Sequence, residues 1–266
     1  SAKIVQVDID PIALGRYFPI ELGINNDVKK FLENLSSLIS LKKFNQNNTV
    51  WVNNFINEKN KYYKNRDNEA DTNSKIIQPS GLFKELREIL PKNSSVTLDA
   101  GTLCLQATDQ FYFSKPKSLF TPLDFGLVGF SFAAGLGVKL AQPNTPVFSL
   151  MGDGGFGMTV SELSTAVQHK INTITIVMNN KSWGAEKAYQ RDYYNKRYIG
   201  ADISSPPFHE LAELYGAKGY HITQLKDVKK TIKDALVCNK PAIVNVEVDP
   251  KALYSFRKDS FKHRAK

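Results

Sequence analysis

Cysteine is scarce, with two among 266 residues, Cys104 and Cys238. They lie far apart without ligand spacing, which excludes a disulfide scaffold and a cysteine zinc site. Two buried apolar thiols in a reducing, cytoplasmic setting are the expectation. The four histidines, His169, His209, His221 and His263, show no metal spacing either. Long apolar runs are also missing. FGLVGFSFAAGLGV (125–138) is the nearest, but glycines interrupt it, Lys139 ends it, and it falls short of the ~20 residues a membrane span needs. No secretory leader is visible, since SAKIVQVDID opens directly in a strand pattern. Acidic residues are the minority, 26 against 35 basic, for a net charge of +9. The lysines are spread out, however, with one dense block in the tail FRKDSFKHRAK and no RNA-recognition motif. Nucleic acid and membrane are therefore not expected partners; a small anionic substrate is.

Hydrophobic residues make up 42% and aromatics 11%, enough for a substantial core. KIVQVDID (3–10) alternates as a strand closed by Pro11. NNDVKKFLENLSSLISL (25–41) predicts a helix capped by Asn26 or Asp27, with Val28, Phe31, Leu32, Leu35 and Leu38 on one face. One strand and one helix make an incomplete domain, so residues 1–42 read as the tail of something larger. Residues 43–76 read as a polar helix and linker, 77–250 as the main domain, and 251–266 as a basic tail. In the main domain, strands at 95–100, 118–121, 146–151, 173–178, 218–222 and 242–248 alternate with helices at 79–91, 101–113, 129–141, 159–169, 208–216 and 225–237. That rhythm predicts an α/β fold, a parallel sheet flanked by helices on both faces.

FSLMGDGGFG (148–157) carries the chemistry. Gly152, Gly154 and Gly157 satisfy the dinucleotide fingerprint G-x-G-x-x-G, yet Asp153 between the first two is a poor neighbour for a bare pyrophosphate. The fingerprint also wants an acidic residue at the end of the second strand, roughly 20 residues on. Here that strand ends in Asn179-Asn180-Lys181. Asp153 and Asn179/Asn180 follow successive strands, so neighbouring strands would bring a carboxylate and a carboxamide to one edge of the sheet. Oxygen ligands suit Mg²⁺, and glycine N–H groups cradle phosphate.

Gly152-Asp153-Gly154, then 24 residues, then Asn179-Asn180 resembles the thiamine diphosphate motif of the acetolactate synthase and pyruvate oxidase superfamily. The resemblance implies that Asp153, Asn180 and the Ser182 carbonyl hold Mg²⁺, with Gly154 and Gly155 on the diphosphate. DAGTL (99–103) resembles the family's other diphosphate turn, adding Ala100, Gly101, Thr102 and Leu103. FGLVGFSFAAGLG (125–137) resembles the segment in which Gly126 holds the aminopyrimidine and Val128 is the wedge that bends the cofactor. Gly152, Trp183 and Gly184 complete the implied cofactor set. VQVDIDP…GR resembles the end of the family's middle domain.

WGAEKAYQRDYYNKRYIGADI (183–203) is similar to a segment of sulfoacetaldehyde acetyltransferases. That likeness implies acetyl transfer to phosphate, with Lys187, Arg191 and Arg197 as candidate anion-binding residues on a loop; solvated loop charge is the alternative for each. In this family the activating glutamate comes from an N-terminal pyrimidine-binding domain, usually a partner subunit's, in a homo-oligomer. The chain is thus expected to be an inactive C-terminal portion of a transferase or lyase, with neither Glu162 nor Glu186 assigned that role. An acetolactate-synthase-like carboligase, a 2-oxo acid decarboxylase, a NAD-binding dehydrogenase domain and a non-catalytic binding module are the alternatives.

Overall fold

The structure, a computed structural model, describes residues 2–40, 49–113, 115–122 and 124–254. Most of the basic tail and His263 lie outside the described residues. The chain divides into two units, Ser1–Tyr63 and Lys64–Lys266.

In the first unit, β1 (Val5–Asp8) pairs in parallel with β2 (Leu22–Asn25), Val5 opposite Leu22. The connection is stapled by Gln6, which donates to the Ala13 carbonyl at 2.9 Å and accepts from the Gly15 N–H at 2.8 Å. α1 (Val28–Ser40) follows, and Asp27 rather than Asn26 caps it, accepting from the Lys30 N–H at 3.1 Å. β2 was not anticipated: LGIN is short, contains a glycine and lacks the β-branched run that marked β1. α2 (Thr49–Glu69) is polar and buries no residue.

In the second unit, α3 (Pro79–Ile89) precedes β3 (Ser95–Leu98), α4 (Thr102–Gln110), β4 (Leu119–Phe120) and α5 (Phe130–Ala141). Then come β5 (Val147–Gly152), α6 (Asp153–Thr159), α7 (Leu163–Gln168) and β6 (Ile174–Asn179). α8 (Gly184–Tyr193), α9 (Phe208–Leu214), β7 (Lys218–Ile222), α10 (Val228–Val237) and β8 (Ala242–Glu247) complete it. Every pairing is parallel, in the order β4-β3-β5-β6-β8-β7. The expected α/β class is therefore what the chain adopts.

Alternate strand residues serve opposite faces, as the pleat requires. Phe148, Leu150, Ile174, Ile176, Val244 and Val246 face α3, α4 and α10 through Leu82, Leu86, Leu103 and Ile232. Met151, Val177 and Ile243 join Phe132, Phe156, Leu163 and Phe208 on the other face. Helices on both sides explain why the central strands are buried throughout. On the second face, Gly135 of α5 rests against Ser149: an added Cβ would lie 2.1 Å from its Oγ.

Three local expectations are corrected. α6 begins at Asp153, so the glycines open a helix, and a 3-10 turn, Val160–Glu162, separates it from α7 where one helix over 159–169 was expected. Residues 184–193 form α8 rather than a loop. Cys104 is buried as expected, but Cys238 is only half-buried.

Candidate functional site

From β3 the chain adds β4 on one side, whereas β5 and β6 extend the sheet on the other. The carboxyl ends of β3 and β5 therefore flank a switch point, where open parallel sheets bind ligands. A cleft of about 260 Å³ opens there. Every residue assigned to the cofactor lines it: Ala100, Gly101, Thr102 and Leu103 after β3; Gly126 and Val128; Gly152, Asp153, Gly154 and Gly155 after β5; and Asn180, Ser182, Trp183 and Gly184 after β6.

Asp153 sits at the first position of α6 and is 1% exposed. Its Oδ2 accepts a hydrogen bond from Ser205 Oγ at 2.5 Å. Its Oδ1 is buried without a hydrogen-bond partner. Burial pushes its pKa up; the Ser205 hydroxyl and the nearby backbone N–H groups of Asp153, Asn180 and Gly154, none in hydrogen-bond geometry with Oδ1, oppose the rise. An ionised carboxylate with a buried, unpartnered oxygen is costly unless a cation meets it. Ser182 Oγ is a second buried, unpartnered oxygen in the same wall.

The two asparagines separate by role. Asn179 is a strand residue whose Nδ2 donates to Asn245 Oδ1 on β8 at 3.1 Å. Asn180 comes after the strand, lines the cleft, and accepts from the Ser182 N–H at 3.1 Å. Lys181, at φ 54°, makes the tight turn that lets this happen.

Asp99, just after β3, was not among the expected site residues although DAGTL contains it. It is 1% exposed, and its two oxygens accept from the Gly129 N–H at 3.0 Å and the Ser131 N–H at 3.1 Å, at the start of α5. Burial raises its pKa, and these backbone donors oppose the rise. Gly155 packs directly on it, since an added Cβ would lie 2.1 Å from Asp99 Oδ2. Gly154 is required on its other side, where a Cβ would lie 2.5 Å from the Trp183 ring. Gly101, Gly126 and Gly152 differ: a Cβ on any of them would meet nothing within 4 Å. Their missing side chains leave open space in the cleft lining.

The expected anion-binding residues are elsewhere. Lys187 pairs with Asp202; Arg191 donates to Asp192 Oδ1 at 2.7 Å and the Leu253 carbonyl at 2.8 Å; Arg197 reaches the Tyr194 carbonyl at 3.4 Å. None lines the cleft. The cause is α8: its helical turn puts Ala185 and Glu186 on the cleft wall and carries Lys187 and Arg191 away from it. Asp249, beyond β8, is a further carboxylate on the rim, its pKa lowered by the Gln78 side-chain donor.

A parallel sheet, a glycine-lined cleft at its switch point and two buried carboxylates, Asp99 held by backbone donors and Asp153 with an unpartnered oxygen, define a domain that binds a diphosphate. Residues 99–246 match the thiamine pyrophosphate enzyme, C-terminal TPP binding domain, and the chain belongs to this family. It is 30% identical over 89% of its length to a sulfoacetaldehyde acetyltransferase of Alcaligenes xylosoxydans xylosoxydans, covering 43% of that protein. It is 31% identical over 94% of its length to a probable acetolactate synthase large subunit of Methanocaldococcus jannaschii, again covering 43%. A thiamine diphosphate-dependent 4-hydroxybenzoylformate decarboxylase of Rhodococcus jostii RHA1 shares the fold, with a TM-score of 0.74, 24% identity, and coverage of 94% of this chain and 45% of that one. The chain spans less than half the length of the curated relatives it matches.

The residues present fit thiamine diphosphate with a divalent cation. The unpaired Asp153 Oδ1 supplies the charge, the open glycine positions supply the space, and the available donors are oxygens, which suit Mg²⁺. No cluster of three or more histidine, cysteine or acidic residues offers a rival metal site among the described residues.

Proposed function

We propose that this chain is the diphosphate- and Mg²⁺-binding portion of a thiamine diphosphate-dependent transferase or lyase acting on a small anionic aldehyde or 2-oxo acid. The single observation that carries the reading is the buried, unpartnered Asp153 Oδ1 in a glycine-lined cleft. Asp153, Asn180 and the Ser182 carbonyl hold the cation. The N–H groups of Gly154 and Gly155, with those of the turn Ala100–Leu103, hold the diphosphate. Gly126 accepts from the aminopyrimidine, Val128 supports the bend, and Trp183 and Gly184 close the wall. The bound cofactor supplies carbanion chemistry; the protein binds, orients and excludes water. Asp99 fixes the start of α5 and the facing Gly155.

Within this class the reading favoured is a sulfoacetaldehyde acetyltransferase, transferring acetyl to phosphate, on the similarity of 183–203. A carboligase of the acetolactate synthase type and a 2-oxo acid decarboxylase are the alternatives. The activating glutamate is assigned to a pyrimidine-binding domain of the full-length enzyme, contributed across a homo-oligomer. Residues 1–42 are assigned to the end of a middle domain. Among the described residues no helix is long and apolar enough to cross a membrane, and the two free cysteines accord with a cytoplasmic setting.

Calorimetric titration with thiamine diphosphate tests the cofactor reading, with Mg²⁺, with EDTA, and beside NAD. Binding that requires Mg²⁺ is the expected result. Binding of NAD instead would return the glycine motif to the dinucleotide class. Product analysis of the full-length enzyme with and without phosphate separates acetyl transfer from the alternatives: acetyl phosphate formed only with phosphate is expected.

A further inference from the structure

The Asp153 carboxylate is asymmetric. One oxygen is free and buried, while the other is tied to Ser205, 52 positions away in sequence. If the bond served folding alone, the unpaired oxygen beside it would be a plain loss, since a buried acceptor without a donor destabilises by about 1–3 kcal/mol. The arrangement makes sense when Oδ2 is the oxygen that is held and Oδ1 the oxygen that is presented.

Ser205 is itself fixed from both directions. Upstream, residues 201–203 pair with 181–183: the Trp183 N–H donates to the Ala201 carbonyl at 2.8 Å and the Ile203 N–H to the Lys181 carbonyl at 3.1 Å. These are the residues that follow Asn180, so the segment carrying Ser205 is aligned by the asparagine turn. Downstream, Pro206-Pro207 lead directly into Phe208, which is 1% exposed. Its ring meets Phe156 edge-on, with centroids 5.0 Å apart. Phe156 lies on α6, three residues after Asp153, just as Phe208 lies three residues after Ser205. The two segments therefore touch twice at equal spacing, hydroxyl on carboxylate and ring on ring.

We infer that Ser205 is a positioning residue for the cation, orienting Asp153 so that Oδ1 alone is offered into the cleft. The inference rests on the metal reading above. Donation to Oδ2 withdraws charge from that oxygen and opposes bidentate binding, leaving room for Asn180 and the Ser182 carbonyl. Such outer partners of metal ligands are typically worth about 10–100-fold in metal affinity.

The test is Mg²⁺ titration of the full-length enzyme at saturating thiamine diphosphate, followed by calorimetry, for Ser205→Thr, Ser205→Val and Asp153→Ala. Threonine and valine have the same shape and differ in the hydroxyl, so packing is matched between them. Thermal unfolding of the metal-free proteins checks that both variants fold. The expected result is near-parental affinity for Ser205→Thr and a loss of about 10–100-fold for Ser205→Val, with no Mg²⁺-dependent binding in Asp153→Ala. Equal affinities for the threonine and valine variants, or tighter Mg²⁺ binding by the valine variant, would overturn the role of Ser205 while Asp153→Ala still upheld the metal site. Unchanged Mg²⁺ dependence in Asp153→Ala would instead overturn the metal reading, and this inference with it.

Discussion

On the proposed metal role, Asp153 trades stability for binding, and the trade can be measured. Its folded-state pKa is raised by burial. A raised carboxylate pKa means that the folded state holds its proton more tightly than the unfolded chain. That stability is fully present below the unfolded pKa and is lost as pH rises through the folded value. Above the folded value the metal-free protein has lost it. Asp153→Asn should raise the melting temperature in EDTA at neutral pH, and the advantage should shrink as pH falls into the ordinary carboxylate range. The comparison with the parent matters because Asp67, Glu88, Glu213 and Asp249 have lowered pKa values and give the opposite slope. A variant less stable than the parent at neutral pH would mean that the charge is already compensated without metal. At this scale the sequence was most legible where residue type and chemistry coincide. A lone aspartate between glycines and an asparagine after a strand announce oxygen ligands. Ser205 and Asp99 carry no such mark: a serine before two prolines and an aspartate at a strand end are ordinary, and only tertiary contact gives them their roles.

Among the elements, the strands were legible because each is a short apolar run bounded by turns, and a parallel sheet buries both faces. α8 was not, because its sequence GAEKAYQRDY buries a single residue, Ala188, and begins at a glycine with no side-chain cap. Without an apolar stripe it reads as a loop; the candidate roles of Lys187, Arg191 and Arg197 rest instead on the likeness of 183–203, and α8 carries the first two of them. α5 shows the converse, a helix whose glycine is fixed by what it packs on. Gly135→Ala should destabilise by about 1–3 kcal/mol, the usual range for overpacking, because the new methyl would meet Ser149 Oγ at 2.1 Å. Ser149 Oγ also accepts from Thr97 Oγ1 at 2.9 Å, so it is not free to swing away. Combining Gly135→Ala with Ser149→Ala should cost less than the sum of the two, measured by urea unfolding. Strict additivity would show that α5 relaxes along the sheet instead.

For the whole molecule, the cleft draws on residues from Pro79 to Ala252, all within the second unit. The first unit has a parallel pair of strands and an amphipathic α1 with no buried residue; none of its described residues is among those lining the cleft. If the second unit is the folding and binding unit, a chain starting at Lys64 should keep one cooperative transition. Thiamine diphosphate with Mg²⁺ should raise its stability by the linkage term, about 2.7 kcal/mol when free ligand is 100 times its dissociation constant. Neither component alone should give the full shift on the proposal that the cation meets the unpartnered Asp153 Oδ1. The same shift in the longer and the shorter chain would place cofactor binding in the second unit entirely. A shift found only in the longer chain would assign residues 1–63 a part in binding that the cleft lining does not reveal. Scanning calorimetry of both chains, with Asp153→Ala as the control that removes the Mg²⁺-dependent part, distinguishes the two.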